Sequence, residues 1–435
     1  MADSLRIALA GLGTVGAGVV RLLNENGDLI ARRAGRPLEI VAVSARDRAR
    51  DRGVDLSGYA WEDDMTAFAA RDDVDVVVEL VGGSDGPALA LARKALDNGK
   101  GLVTANKAMV AHHGLELASL AEERSAPLRY EAAVAGGIPA IKGLGEGAAA
   151  NRIERIYGIL NGTCNYILSE MESTGRDFVE VLREAQSLGY AEADPTFDIE
   201  GVDAAHKLSI LAALAFGTKL DFGAVDISGI SQIRAADIAQ ARSLGFVIRL
   251  IGLADTSAEG GERHLFQRVA PYLVPTDHPL AGVGGPTNAV VGEGNFSGRL
   301  LFEGAGAGDG PTASAVVADL IDIARGNSMP PFSLPVSLLE ASQPADPGGR
   351  RNRAYIRMMV ADRPGVLAEI TAAMRDAGVS IESFMQQGQR EEDGEPVLVA
   401  MVTHEGPEAG VAKALALLEG SESLAEEPLV MRLLG

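Results

Sequence analysis

Cysteine and lysine are scarce in this chain. A single cysteine, Cys164, among 435 residues excludes an intrachain disulfide framework and a cysteine-based zinc site. No uncharged apolar stretch reaches the roughly 20 residues that a membrane-spanning helix needs. The chain runs straight into LRIALAGLG without a basic n-region, a long apolar h-region or a small-residue cleavage site, so no secretory signal is expected. Positive charge is also in deficit. There are 39 Lys and Arg against 60 Asp and Glu, a formal net charge of −21. Nucleic-acid binding depends on neutralising phosphates with cations, so that class is excluded. The expectation is a cytoplasmic protein with neither nucleic acid nor membrane as partner. Lysine is rarest of all, seven against thirty-two arginines. A protein this acidic repels anions at long range, so an anion site in it must be locally positive, built from helix N-termini, backbone N–H groups and a few chosen cations. Each lysine is therefore a candidate.

What is present is a regular alternation. LRIALA (5–10), LEIVAV (38–43), VDVVVEL (74–80) and GLVTAN (101–106) read as strands. The third is a continuous apolar run of the kind that parallel strands show. Helical periodicity lies between them, one helix running from the glycine loop to a stop at about Asn26-Gly27 and another over about 87–98. Strand–helix alternation predicts a doubly wound parallel sheet over 1–130. From 131 to 303 the pattern becomes α+β, with helices expected at 163–172, 177–188 and 203–216. The segment 304–330 opens with GAGAGDGPTAS and continues as a helix that returns to the first unit. Pro, Gly and charge at 340–352 read as a linker. The tail, 353–435, follows a βαββαβ order, a small ferredoxin-like unit.

The loop GLGTVG places Gly11, Gly13 and Gly16 between a strand and a helix. The first glycine permits the tight turn, the second lets the backbone approach a pyrophosphate, and the third lets helix pack on strand. No carboxylate directly follows the second strand. Ser44-Ala45-Arg46-Asp47-Arg48 stands there instead, and an arginine at that place holds a 2′-phosphate, which favours NADP over NAD; plain surface charge is the other reading. Lys107 directly follows a strand, and residues just beyond the carboxyl ends of strands line the ligand crevice of such sheets. The segment GYAEADPTFDIEGVDAAHK (189–207) gathers Glu192, Asp194, Asp198, Glu200 and Asp203 and ends on Lys207. Asp203 and Lys207 are spaced i, i+4 on one helix face. A helix-stabilising ion pair explains one of these acids and leaves the others without a role. A site that holds an ammonium and stabilises a developing alkoxide would use both signs.

At this point the chain resembles homoserine dehydrogenase, in the monofunctional form with a C-terminal ACT domain. The resemblance rests on Ala185, Gly189, Pro195, Asp198, Gly201, Asp203 and Lys207 in the acidic signature. TANK (104–107), EAAVAGGIP (131–139), NGTCNYIL (161–168), HPLAGVGGPTNAV (278–290) and GAGAGDGPTAS (304–314) extend it over essentially the whole chain. It implies NAD(P)H-dependent interconversion of L-aspartate 4-semialdehyde and L-homoserine, in threonine, methionine and isoleucine biosynthesis. Lys207 is implied as proton donor, supported by Asp203, with Lys107 at the cofactor and reacting carbon. Glu192, Asp198, Gly189 and Thr163 are implied in substrate binding, and Gly11, Gly13, Thr14, Val15, Gly16, Arg46, Lys107 and Gly306 in cofactor binding. It further implies a sodium ion held mainly by backbone carbonyls at Glu131, Val134, Gly136 and Ile138. In the tail it implies an L-threonine effector near Asp362, Gly365, Val366 and Leu367. A homodimer or homotetramer is expected. Two rivals stay open on the residues alone, a Rossmann reductase acting on aspartate itself and an amino-acid sensor without chemistry.

Overall fold

The structure is a computed structural model that describes residues 3–259, 262–327, 329–387 and 396–435; the stretch 388–395 of the expected ACT unit lies outside them. The first unit is a six-stranded sheet of β1 (Leu5–Ala10), β2 (Leu38–Ser44), β3 (Ala60–Trp61), β4 (Val76–Glu79), β5 (Gly101–Thr104) and β6 (Leu128–Arg129). All neighbours are parallel and the order is β3-β2-β1-β4-β5-β6. Strand order reverses between β1 and β4, and ligands of such sheets bind outside the carboxyl ends of strands at that reversal. Helices α1 (Thr14–Ala34), α2 (Pro87–Asp97) and α3 (Lys107–Arg124) connect the strands. The expected stop at Asn26-Gly27 is instead a kink. Asn26 leaves helical geometry at φ −111°, ψ 15°, and the helix resumes to Ala34, where Gly35 caps it in the left-handed conformation. Ile30 and Ala34 are buried, and that apolar face outweighs a local breaker worth about 1 kcal/mol.

The second unit packs α4 (Ala140–Lys142), α5 (Gly162–Thr174), α6 (Phe178–Ser187), α7 (Thr196–Ile199), α8 (Val202–Phe216) and α9 (Ala235–Ser243) with strands β7 (Ile153–Ile159), β8 (Asp226–Ile227), β9 (Phe246–Glu259), β10 (Glu262–Pro275), β11 (Thr287–Gly294) and β12 (Gly298–Ala305). α8 is central. It is buried on nearly every side, Asp203 and Lys207 included, and lies against β7, β9, β10 and α3. Helix α10 (Asp309–Arg325) then runs back along α1. Its Ala313, Val316 and Leu320 share a core with Ile7, Leu9 and Val20, so a segment distant in sequence covers one face of the first sheet.

The tail contains β13 (Gln343–Pro344), β14 (Arg351–Asn352), β15 (Ala354–Val360), α11 (Val366–Asp376), β16 (Ile381–Gln387), β17 (Val397–Thr403), β18 (Gly406–Pro407), α12 (Glu408–Leu418) and β19 (Leu429–Leu433). Its main strands lie in the order β19-β15-β17-β16, which is the ferredoxin-like arrangement expected. The sheet does not end there. β19 pairs in parallel with β10, Tyr272 opposite Arg432 and Leu273 opposite Leu433. One eleven-stranded sheet therefore runs from β12 in the second unit to β16 in the tail. Residues 340–352, read from sequence as a linker, are held against the second unit. β13 pairs with β10, and Arg350 holds Asp255 through two bonds of 2.8 and 2.7 Å while stacking 3.7 Å over the Phe266 ring. Buried charges fasten the seam. Arg357 meets Asp237 at 2.8 Å, and the Tyr355 hydroxyl donates to the same carboxylate at 3.0 Å. Arg268 meets Asp226 at 2.7 Å and Glu408 at 2.9 Å. Glu408 also takes Arg432 at 3.0 Å and the Asn352 amide at 2.7 Å. A strand edge left open presents unpaired N–H and C=O groups, and β10 and β19 remove each other's. Among the described residues no helix is long and apolar enough to cross a membrane.

Candidate active site

The glycine loop joins β1 to α1. Gly11 has φ +96°, and a Cβ there would lie 2.6 Å from the Leu80 carbonyl oxygen; one on Gly16 would lie 2.0 Å from that of Gly11. A Cβ on Gly13 would meet nothing within 4 Å. The first and third glycines therefore close the turn, and the second faces space that a ligand can enter. Thr14 and Val15 open α1, whose first turn has no acidic residue. Its unpaired N–H groups form a site for a pyrophosphate, so the residues present fit a dinucleotide. Arg46 stands in the exposed loop after β2, outside the cavity described next. In that loop Arg48 and Arg52 lie 5.5 and 5.8 Å from the centre of the Trp61 ring, and Arg52 Nε donates to the Leu12 carbonyl at 3.0 Å.

A cavity of about 930 Å³ opens between the first and second units. Its lining includes Val15, Gly136 and Gly306 together with Lys107, Thr163, Gly189, Glu192, Asp198, Asp203 and Lys207. Asn106 caps α3 by accepting from the Met109 N–H at 3.1 Å, which places Lys107 at the first helical position, pointing off the end of β5. Its Nζ lies 2.8 Å from Asp203 Oδ1. Lys207 Nζ donates to Asp203 Oδ2 at 2.7 Å and to the Leu160 carbonyl at 2.8 Å. Two ammonium groups thus share one carboxylate. Burial alone would raise the pKa of Asp203, but Lys207 and Lys107 overcome it and hold the group well below the usual carboxylate range. For Lys107 burial would lower the pKa, and Asp203 reverses that and raises it.

The acidic block divides by role. Asp198 is pushed up by burial and by the neighbouring Asp203. Asp194 turns inward on its own loop, accepting from the Thr196 N–H at 3.1 Å and the Thr196 hydroxyl at 2.7 Å. Glu200 ends α7, and Glu192 is exposed at the cavity wall. Thr163 donates to the Tyr190 carbonyl at 2.8 Å, and Gly189 turns the chain there at φ +78°. Reading the sequence missed Asn161. Its amide donates to Asp198 and to Asp203, each at 2.8 Å, while its carbonyl caps α5 through the Cys164 N–H at 2.8 Å. An asparagine directly before a helix is a capping signal, and that signal was available. Cys164 is buried, with its thiol pKa pushed up by that burial, as a packing cysteine should be.

In the block expected to hold a cation, Ala135 and Gly136 both adopt positive φ, 57° and 56°. The buried Glu131 carboxylate accepts from the Ile141 and Lys142 N–H groups, each at 2.9 Å, and its backbone oxygen accepts from the Val134 N–H at 3.2 Å. Val134 and Ile138 are buried apolar residues. Such a site has carbonyl oxygens as its donors, which suits a hard monovalent cation. In the tail, Gly365 (φ +98°) leads into α11, Leu367 is 37% exposed, and Asp362 is exposed. The Val366 side chain packs in the tail's own core, so it would face an effector with its backbone alone.

A doubly wound sheet with an open glycine loop, and a cavity in which lysines and carboxylates face that loop's end, define a nicotinamide-dinucleotide oxidoreductase acting on a small polar substrate. Comparison with known proteins narrows the class. The homoserine dehydrogenase family matches residues 139–321, the homoserine dehydrogenase NAD-binding domain matches 11–131, and the ACT domain matches 354–419. A homoserine dehydrogenase of Pseudomonas aeruginosa is 44% identical over 434 residues, covering 97% of this chain and 96% of its own. The solved homoserine dehydrogenase of Thiobacillus denitrificans superposes with a TM-score of 0.91 at 41% identity, covering 99% and 98%. A hyperthermophilic archaeal homoserine dehydrogenase in complex with NADPH gives a TM-score of 0.62 at 25% identity, over 74% of this chain and 97% of that one. The chain belongs to the homoserine dehydrogenase family, NAD(P)-dependent oxidoreductases that interconvert aspartate semialdehyde and homoserine.

Proposed function

We propose that Lys207 is the proton donor to the carbonyl oxygen of L-aspartate 4-semialdehyde, and that Asp203, which also holds Lys107, keeps it in place for that task. The observation that carries this reading is the pair of ammonium groups on one buried carboxylate, facing a cavity shared with the glycine loop. A bound nicotinamide supplies or takes the hydride. The chain's own residues do the rest. Glu192 and Asp198 hold the substrate's ammonium. Lys107 stands at the end of β5, where cofactor and reacting carbon meet. As hydride arrives, negative charge grows on the carbonyl oxygen, and the Lys207 ammonium stabilises it and gives up a proton. Asp203 stays ionised and keeps both lysines in place. The direct test is cofactor oxidation with aspartate semialdehyde, run beside aspartate and with no substrate. Turnover with the semialdehyde alone is expected; none with it would overturn the reading.

Finer assignments follow from the same reading. Arg46 and its neighbours favour NADP, so Arg46→Ala should raise the KM for NADPH more than that for NADH. A sodium ion held by backbone carbonyls at Glu131, Val134, Gly136 and Ile138 would make activity depend on sodium over choline at equal ionic strength. The ACT unit binds L-threonine near Asp362, Gly365, Val366 and Leu367. Full-length enzyme should therefore be inhibited, and Asp362→Ala should need more threonine. Assembly as a homodimer or homotetramer is supported by β12, which ends the long sheet with an open edge, and is checked by sedimentation. These roles belong to threonine, methionine and isoleucine biosynthesis.

A further inference from the structure

One buried side chain in the cavity wall has no partner. Asn288 lies on β11, opposite Gly304 of β12, and is 1% exposed. Neither its amide nitrogen nor its amide oxygen makes a hydrogen bond. Exchanging the two atoms would not help, because both are bare. A buried hydrogen bond left unmade is costly, so a side chain with two of them marks an arrangement that a ligand completes. Its surroundings are shaped to hold it. A Cβ on Gly306 would fall 2.1 Å from the Asn288 amide carbon, and one on Gly162 would fall 3.3 Å from its oxygen. Two glycines therefore let backbone lie flat against the amide, one from the loop after β12 and one from the start of α5. Gly306 packs against Gly136, where a Cβ would fall 2.5 Å from the Gly306 carbonyl oxygen, and Gly162 follows Asn161, which donates to Asp203 at 2.8 Å; both glycines line the cavity. The amide stands at the seam between them, where the reacting ends of cofactor and substrate must meet.

We propose that Asn288 is a positioning residue for the carboxamide of the nicotinamide ring, an inference that rests on the oxidoreductase reading above. A primary amide offers one donor and one acceptor side by side in a plane, and its best match is another such pair. The nicotinamide carboxamide is that pair. The substrate's carboxylate only accepts, and its ammonium is already matched by Glu192 and Asp198. The adenine edge could also match an asparagine, but the adenosine end of a dinucleotide in this fold lies near the end of β2, where Arg46 stands. Fixing the carboxamide fixes which ring face and which ring carbon meet the substrate.

The test compares two ligands on one protein by calorimetry without substrate, the dinucleotide that the wild-type enzyme binds better and its nicotinamide-free fragment, ADP-ribose or 2′-phospho-ADP-ribose. Asn288→Leu keeps the branched shape and removes both polar atoms; Asn288→Ser serves if the leucine variant does not fold. The dinucleotide should bind about 10- to 100-fold more weakly, and the fragment within about twofold of wild type. The 3-acetylpyridine dinucleotide, which lacks the amide donor, should lose less than the native one. Equal losses for dinucleotide and fragment would show a structural residue and overturn the proposal, as would unchanged dinucleotide affinity. A loss confined to L-homoserine binding would assign Asn288 to the substrate instead and also overturn it. Failure of the wild-type protein to bind any nicotinamide dinucleotide would sink the oxidoreductase reading itself.

Discussion

Two of the regions that bury ionised side chains are built on opposite principles. At the seam between β10 and β19, Arg268 and Arg357 meet carboxylates that are themselves fully engaged. Glu408 takes Arg268, Arg432 and Asn352, and Asp237 takes Arg357, Tyr355 and the Arg234 N–H. In the active site one carboxylate serves two lysines, and the cluster faces an open cavity. Buried charge whose carboxylates are fully engaged fastens one part of a protein to another. Buried charge left in excess at a cavity wall has capacity to spare for a ligand or a proton.

The sharpest way to break the comparison is Lys207→Ala. It should lower kcat by about 10²–10⁴, the range for loss of a general acid, with dinucleotide affinity and melting temperature little changed. Steady-state rates and a thermal scan measure all three, and a large loss of stability would place Lys207 with the fastening charges. Asp237→Ala should do the reverse. It leaves the buried Arg357 with the longer contact to Glu426 at 3.6 Å, which should cost up to about 3–5 kcal/mol of stability in denaturant titration, while the rate of the folded fraction holds. Asp203→Asn lies between and should lower both rate and stability, the latter by about 2–3 kcal/mol at neutral pH. Its pH dependence has a defined sign. The folded pKa of Asp203 is depressed, so its contribution is present above the unfolded value near 4 and fades as pH falls toward the folded one. The gap in melting temperature between wild type and variant should thus be widest near pH 7 and close below about pH 4. The smallest effect is expected from Glu192→Gln at the exposed rim. It should raise the KM for the amino-acid substrate about 3- to 10-fold and spare an analogue without the amino group.

The sequence carried local information well. Alternation of apolar runs located the parallel sheet, and spacing within one helix paired Asp203 with Lys207. Information that depends on partners distant along the chain was hidden. Asn26-Gly27 looked like an end because Ile30 joins a core that α10, some 290 residues away, helps to complete. The tail looked separate because nothing local marks β19 as the neighbour of β10. Asn288 lay within a stretch that was noticed, HPLAGVGGPTNAV, but its lack of a partner exists only once Gly162 and Gly306 have closed around it. Lys107 was legible by position, and its contact with Asp203 was not.

The pairing of β10 with β19 also has a consequence in time. Pro275 ends β10, and Leu429 begins β19. At roughly 5–20 residues per second of synthesis, about 8–30 seconds pass on the ribosome before the strand that closes this edge has been made. During that interval β8 and β13 are, among the described residues, the strands that shield β10 on that side, and β13 itself arrives well after β10. A nascent chain of this protein therefore carries an open strand edge through most of the translation of its tail, and binding by a chaperone or by a neighbouring nascent copy competes with the chain's own last strand for that edge.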